Sequence, residues 1–312
     1  MGIDKSQIKT LEERVDHFSW MFDEGNALLK TRDDHRKFKG RGMSKSSLDY
    51  VTKSMEHYFG PPIKQTDAMV FGNAFHTMIL EPDKFNKEYA KIGQFDRRTK
   101  IGKEGYAEAV ALVGKRTAIQ TIDWNVLQKM KESVWSHPLA SSLLSEGYPE
   151  ETVIWNDERT RVLLKGRTDW RNEGEKCIID LKSCMDASFD EVSKEIFGKL
   201  RYFMQAAMYV DGFNSVMGGS YGFKFIFVEK KPPYGVCVYG MDELAIECGR
   251  KTYGKDIDKL LSWYFSALNN RDECYSGYAS EEVKLTPPAW LLYNLGIKRK
   301  PNAENNNDDS RF

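Results

Sequence analysis

The sequence has few cysteines, no long apolar run and no excess charge of either sign. Its five cysteines are Cys177, Cys184, Cys237, Cys248 and Cys274; the number is odd and no two have CxxC spacing. This pattern excludes a spaced-cysteine zinc site and argues against a disulfide frame, so reduced thiols of a cytoplasmic protein are expected. The longest apolar stretches, such as AVALVG and FKFIFV, are far shorter than the ~20 residues of a membrane helix, and no membrane association is expected. MGIDKSQIKTLEERVDHF, the first stretch of the chain, holds no apolar signal core, so export is not expected. Lys and Arg number 46, as do Asp and Glu. That balance rules out a surface coated in positive charge, but it leaves room for a local basic track.

Two such tracks are present. Residues 28–45 carry seven Lys/Arg against two Asp, and residues 91–103 carry five against one. Each is read either as a solvated face or as a set of phosphate contacts.

Hydrophobic periodicity gives the order of elements. Residues 6–30 read as a helix, with Ile8, Leu11, Val15, Phe18 and Met21 on one stripe. MSKSSLDYVTKSMEHYFGPP reads as one helix, begun by Ser44 or Ser46 and stopped by Gly60-Pro61-Pro62. Thr66 or Asp67 caps a further helix running to about Leu80, closed by Pro82. Residues 103–120 and 123–145 read as helices, with a break near Pro138. EETVIWND, RVLLKGRTDWRN and KCIIDLKS then have strand composition and short polar turns, which predicts an antiparallel meander. A helix over 188–215, a strand pair around Lys231-Pro232-Pro233 and a long helix over 241–270 follow. The order suits a mixed α/β or α+β core with an N-terminal helical part. We divide it into an N-terminal helix and basic loop (1–41), a main domain (42–297) and a polar, low-complexity tail (298–312) expected to be disordered.

The chemistry concentrates on two strands. Side chains alternate along a strand, so Lys165, Arg167 and Asp169 share one face, and Ile178, Asp180 and Lys182 share another. Pairing around the Asn172-Glu173-Gly174 turn sets opposite residues at positions summing to about 349, which places Asp169 against Asp180. Two facing carboxylates repel. A divalent cation relieves that repulsion, and Mg²⁺ favours one or two carboxylates together with waters and phosphates. Lys182 would then stand beside the attacking water. A bare Asp…Asp-x-Lys is short and common, and two surface strands with a salt-bridged lysine would look the same.

Other residues sharpen the reading. His76 interrupts an apolar helix, four residues after Gly72, where Gly72 and Ala74 would allow a close approach. It is either a satisfied core histidine or a nitrogen ligand. Glu81 either supports the site or caps the helix. Arg201, Gln205 and Tyr209 follow at spacing four, on one helical face.

In chain order, therefore, stand Gly-x-x-x-His-x-x-x-x-Glu-Pro, Gly-Arg-x-Asp, Asp-Leu-Lys and Gln-x-x-x-Tyr. The combination resembles the RecB-like branch of the PD-(D/E)XK nucleases, in particular the RecE-type, exonuclease VIII-like phage exonucleases. The likeness spans roughly residues 42–230 and includes the serine-rich helix at Met43–Pro62. It implies a restriction-endonuclease-like core, a central mixed sheet flanked by helices. It implies that His76, Asp169, Asp180 and the Leu181 carbonyl hold Mg²⁺, with Mn²⁺ able to substitute, and that Lys182 is the catalytic lysine. Gln205 and Tyr209 would support the site and contact DNA, and Lys165, Arg167, Glu81 and Arg201 are further candidates.

The implied activity is 5′ to 3′ digestion of linear duplex DNA, leaving 3′ overhangs for a single-strand annealing protein. The implied setting is a homo-oligomeric ring, encoded by a phage or prophage in a bacterial cytoplasm. Two alternatives stay open: an endonuclease or single-strand nuclease on the same fold, and a non-catalytic DNA-binding or assembly protein.

Overall fold

A computed structural model of the chain describes residues 10–30, 38, 40–198 and 200–269, with isolated positions at 5, 8, 282, 284, 285, 287, 292, 293 and 295–297. The chain divides into two compact units, Met1–Ser276 and Gly277–Phe312, and every element named below belongs to the first. The tail expected over 298–312 lies outside the described residues, as do residues 31–37 and 39 of the basic stretch 28–45. No helix among the described residues is long and apolar enough to cross a membrane.

The elements run α1 (Leu11–His17), β1 (Asn26–Leu29), α2 (Lys45–Lys53), α3 (Met55–Tyr58), α4 (Asp67–Leu80), α5 (Pro82–Glu88), β2 (Tyr89–Ile92), α6 (Lys100–Leu112) and β3 (Thr117–Gln120). They continue with α7 (Thr121–Ser136), α8 (Pro138–Ser145), β4 (Tyr148–Pro149), β5 (Thr152–Asn156), β6 (Leu163–Arg167), β7 (Trp170–Asn172) and β8 (Cys177–Cys184). Last come α9 (Phe189–Phe197), α10 (Tyr202–Met217), β9 (Gly222–Glu229), β10 (Val236–Gly240) and α11 (Glu243–Leu268).

The central sheet has the order β10-β9-β8-β7-β4. It is mixed, because β8 and β9 run parallel while the other neighbours run antiparallel. Both of its faces are covered. On one side Ile178, Phe223, Phe225 and Phe227 join residues of α2, α10 and α11; on the other Ile179, Leu181, Ile226 and Val228 join α4, α7 and α8. The strict alternation along β8 thus sends Asp180 and Lys182 toward the α10 side. A second, antiparallel sheet, β1-β5-β6, lies beside it, and β2 and β3 form a short parallel pair.

Several expected elements are interrupted, each for a local reason. The helix expected over 6–30 survives only as α1, closed at its start by a Thr10–Glu13 capping box. Beyond it, Phe18, Trp20 and Met21 turn into the core, and residues 26–29 pair with β5 instead of continuing a stripe. The serine-rich helix breaks at Ser54, which is fully extended and caps α3 by accepting from His57 N. Pro82 does not merely close α4; it begins α5, where a missing N–H costs nothing. The helix expected over 103–120 ends at Leu112. Gly114 there takes a positive φ of 65°, and the β-branched Thr117–Gln120 segment becomes β3. The helix expected over 188–215 is broken between α9 and α10.

The meander is also split. β5 pairs β6 in the smaller sheet, but the chain leaves that sheet at Thr168–Asp169 and enters the central sheet as β7. Main-chain bonds from Thr168 N to Glu151 O (3.0 Å) and from Glu150 N to Asp169 O (3.1 Å) hold the crossing. The β7–β8 register is the expected one: Trp170 faces Ile179 and Arg171 faces Ile178.

Candidate active site

The site is assembled from four elements. α4 starts at Thr66, whose hydroxyl accepts from Met69 N, and its middle turn carries His76. The link between β6 and β7 carries Asp169, while β8 carries Asp180 and Lys182. The first two turns of α10 carry Gln205, and the next carries Tyr209. A cleft of about 860 Å³ is lined by His76, Glu81, Lys165, Arg167, Asp169, Asp180, Lys182, Gln205 and Tyr209. Nine of the eleven expected site residues therefore converge.

The contacts within the cleft are specific. His76 Nδ1 lies 3.3 Å from Asp169 Oδ2. The same oxygen accepts from the Leu181 main-chain N–H at 2.8 Å, which locks Asp169 to the strand opposite. The contact seen for Leu181 is thus its N–H, not the carbonyl expected as a ligand, and its side chain is buried in the core. Asp180 is 2% exposed. Its Oδ1 accepts from Gln205 Nε2. Its Oδ2 forms a buried ion pair with Lys182 Nζ at 2.5 Å.

The electrostatics follow from burial and these contacts. Burial pushes the Asp180 carboxyl up to about 6; Lys182 pulls it down and Asp169 pushes it up further. Burial also raises Asp169, but His76, Lys182 and the Leu181 N–H overcome this and hold it below the ordinary value. Burial lowers His76, and the Asp169 carboxylate more than reverses the effect. Lys182 is likewise disfavoured by burial, yet Asp180 and Asp169 raise it above a normal lysine. Lys165, across the cleft, has no such acid and is lowered by burial to about 8.

Two motif positions acquire a physical role. A Cβ on Gly166 would stand 2.7 Å from the Tyr209 ring, so glycine is what lets α10 close onto β6. Gly72, by contrast, has nothing within 4 Å of such a Cβ, and the close approach expected there is not made. Arg201 is the other correction. It caps α10 in the left-handed region (φ 51°) and its guanidinium turns away from the cleft to Asp49, Thr52 and Asp256. The face of α10 that meets the site is Tyr202, Gln205 and Tyr209, at spacings three and four. Tyr202 was missed in the sequence, although that spacing marks it; its ring centroid lies 4.6 Å from Lys182 Nζ. Glu150, paired with Arg167 at 3.1 Å, also lines the cleft and was missed.

Among the described residues, no three His, Cys, Asp or Glu side chains stand close enough to grip a metal ion as they are. His76 and Asp169 hold each other, and Asp180 holds Lys182. The donor set nevertheless fits a divalent cation. One imidazole and two carboxylates face one cleft, the hard donor chemistry of a divalent site, and Asp180 Oδ2 already pairs there with a cation, the Lys182 ammonium.

No curated protein matches the chain. A solved structure from Eubacterium rectale described as a "Putative exonuclease" superposes with a TM-score of 0.54 at 14% identity, over 87% of this chain and 100% of that one. At that identity the likeness is one of fold. A phage related exonuclease from Haemophilus somnus 129PT is 15% identical over 73% of this chain and 95% of its own, with a TM-score of 0.33. The family model described as "PDDEXK-like domain of unknown function (DUF3799)" matches residues 41–269, most of the chain, and the protein belongs to that PDDEXK-like family.

Proposed function

We propose that this protein is a metal-dependent deoxyribonuclease, an Mg²⁺-dependent exonuclease that digests linear duplex DNA from 5′ to 3′. The observation that carries the nuclease reading is the meeting of His76, Asp169, Asp180 and Lys182 in one cleft. The polarity and the duplex preference rest on the RecE-type resemblance of the motifs. So do the ring-shaped assembly, the phage or prophage setting in a bacterial cytoplasm and the delivery of 3′ overhangs to a single-strand annealing protein.

His76, Asp169 and Asp180 would hold the divalent ion, which supplies phosphate charge neutralisation and a more acidic water when bound. Asp169 is held in place by the Leu181 N–H, and Asp180 by the Gln205 amide. Lys182 remains an ammonium at neutral pH because two carboxylates raise it. It therefore acts as a fixed cation beside the scissile phosphate and orients the attacking water by donating to it; it does not serve as the base. Lys165 and Arg167 add positive charge to the same wall and suit backbone phosphates.

The test is digestion of 5′- and 3′-labelled linear duplex, single strand and closed circular DNA, with Mg²⁺ and with EDTA. Linear duplex should shorten from its 5′ ends only with Mg²⁺, and closed circles should remain intact. Cutting of closed circles would remove the exonuclease reading. Asp180→Ala should abolish Mg²⁺-dependent digestion; undiminished activity in that variant would remove the site.

A further inference from the structure

Tyr202 and Arg201 have no role in the chemistry proposed above, yet the contacts around them are dense. The ring of Tyr202 faces the ammonium of Lys182 at 4.6 Å from its centroid, and Asp180 Oδ2 lies 2.5 Å from the same ammonium. The ring leans on Phe225, with centroids 5.9 Å apart, and so has a firm backing. The two residues before it are anchored from elsewhere. Leu200 O accepts from Lys45 Nζ at 2.6 Å, and Lys45 also pairs with Asp49 at 2.7 Å. Arg201 donates to Asp49 Oδ1 at 3.1 Å and Thr52 Oγ1 at 3.3 Å on α2, and to the buried Asp256 Oδ2 at 2.5 Å on α11.

A left-handed backbone at a non-glycine residue is disfavoured and persists only when its surroundings fix it. Here three side-chain acceptors from two helices fix it. Arg201 thereby sets the point at which α10 begins and the phase of Tyr202 and Gln205 on it. Shifting the start by one residue would turn α10 by about 100° and carry both side chains off the site.

We propose that Tyr202 is a positioning residue for Lys182, and that the Arg201–Asp49–Asp256 latch is what places it. The ring face confines the ammonium to the cleft side of β8, so that it meets the phosphate in one orientation. This inference rests on the nuclease reading of the same cleft.

The experiment compares Tyr202→Phe, Tyr202→Leu, Arg201→Lys and the Tyr202→Leu/Arg201→Lys pair. Tyr202→Phe keeps the ring and should retain most of kcat. Tyr202→Leu keeps apolar bulk but loses the π face, and kcat should fall roughly tenfold to thirtyfold with KM little changed. Arg201→Lys cannot span Asp49 and Asp256 together and should lose kcat similarly, with the double variant no worse than the poorer single one. An equal loss in Tyr202→Phe and Tyr202→Leu, a loss confined to KM, or additive losses in the pair would overturn the proposal.

A second readout does not depend on catalysis. In protein labelled at lysine Cε, the Lys182 resonance, assigned by its absence in Lys182→Arg, should be shifted upfield by the ring. The shift should persist in Tyr202→Phe and vanish in Tyr202→Leu. A wild-type protein that digests no DNA but keeps this shift would defeat the nuclease reading while leaving the placement intact; a wild-type resonance without the shift would defeat the placement.

Discussion

Asp180→Asn should make the metal-free protein more stable at neutral pH. The carboxyl of Asp180 moves from its ordinary 3.8 to about 6 on folding. At about 1.4 kcal/mol per pH unit, its ionised form costs the fold about 3 kcal/mol. The attraction of Lys182 is already contained in that figure, because the ammonium pulls the carboxyl down while burial and Asp169 push it up. The sign follows from proton counting. An acid whose pKa is higher folded than unfolded binds more protons in the fold, so stability is greatest below 3.8, falls as pH rises to about 6 and is level above that. Asparagine is neutral throughout; with its amide oxygen accepting from Gln205 its amide nitrogen faces Lys182, which must draw back and keeps Asp169 as its counter-charge.

The variant should therefore melt about 5 °C above wild type at pH 8 in EDTA for a chain of this length. The gap should close as pH falls to 4. Added Mn²⁺ should raise the wild-type midpoint and leave the variant nearly unmoved, because a bound cation relieves the buried charge. Calorimetry or dye-monitored melting at pH 4, 6 and 8 reads all three. If the variant melts at or below wild type at pH 8 in EDTA, or if the gap does not depend on pH, the reasoning about a buried, ion-seeking carboxylate is wrong.

Asp169 should behave in the opposite sense. Its pKa is depressed in the fold, so its contribution is present above the unfolded value and lost as pH falls through the folded one. Asp169→Asn should destabilise by roughly 1–2 kcal/mol at pH 7, a deficit that shrinks in acid, measured by urea unfolding at pH 7 and pH 3. Gly166→Ala should lose about 1–3 kcal/mol from overpacking against Tyr209. Its digestion rate should fall as well, whereas alanine at Gly72, where the space is open, should leave folding intact; paired melts and digestion assays separate the two.

Much of the cleft was legible in the sequence because its geometry is local. The turn at Asn172–Gly174 is short, so the register that brings Asp169 to Asp180 follows from counting residues. Thr66 is a good cap followed by a mainly apolar segment, DAMVFGNAFHTMIL, so α4 and the place of His76 were readable. The crossing at Thr168–Asp169 was not. Its residues continue a strand pattern, and only the pairing of β6 with β5 and of β7 with β4 and β8 reveals two sheets. Arg201 misled because spacing four assumes an uninterrupted helix. The left-handed residue resets the count, and the stripe begins at Tyr202. The parallel pairing of β8 with β9 depends on segments about 45 residues apart in sequence, which no local pattern encodes.

The two carboxylates are mounted like the jaws of a caliper. Asp180 is fixed to the middle of a long strand in the central sheet, while Asp169 rides on the joint between that sheet and the smaller one. A tilt of the smaller sheet would strain the Leu181 N–H bond that holds Asp169, and Lys165 and Arg167, on β6, are part of that sheet. On the nuclease reading proposed above, a load taken up by those two cations would reach the acid that is to hold the ion, and any coupling between duplex and ion would be reciprocal.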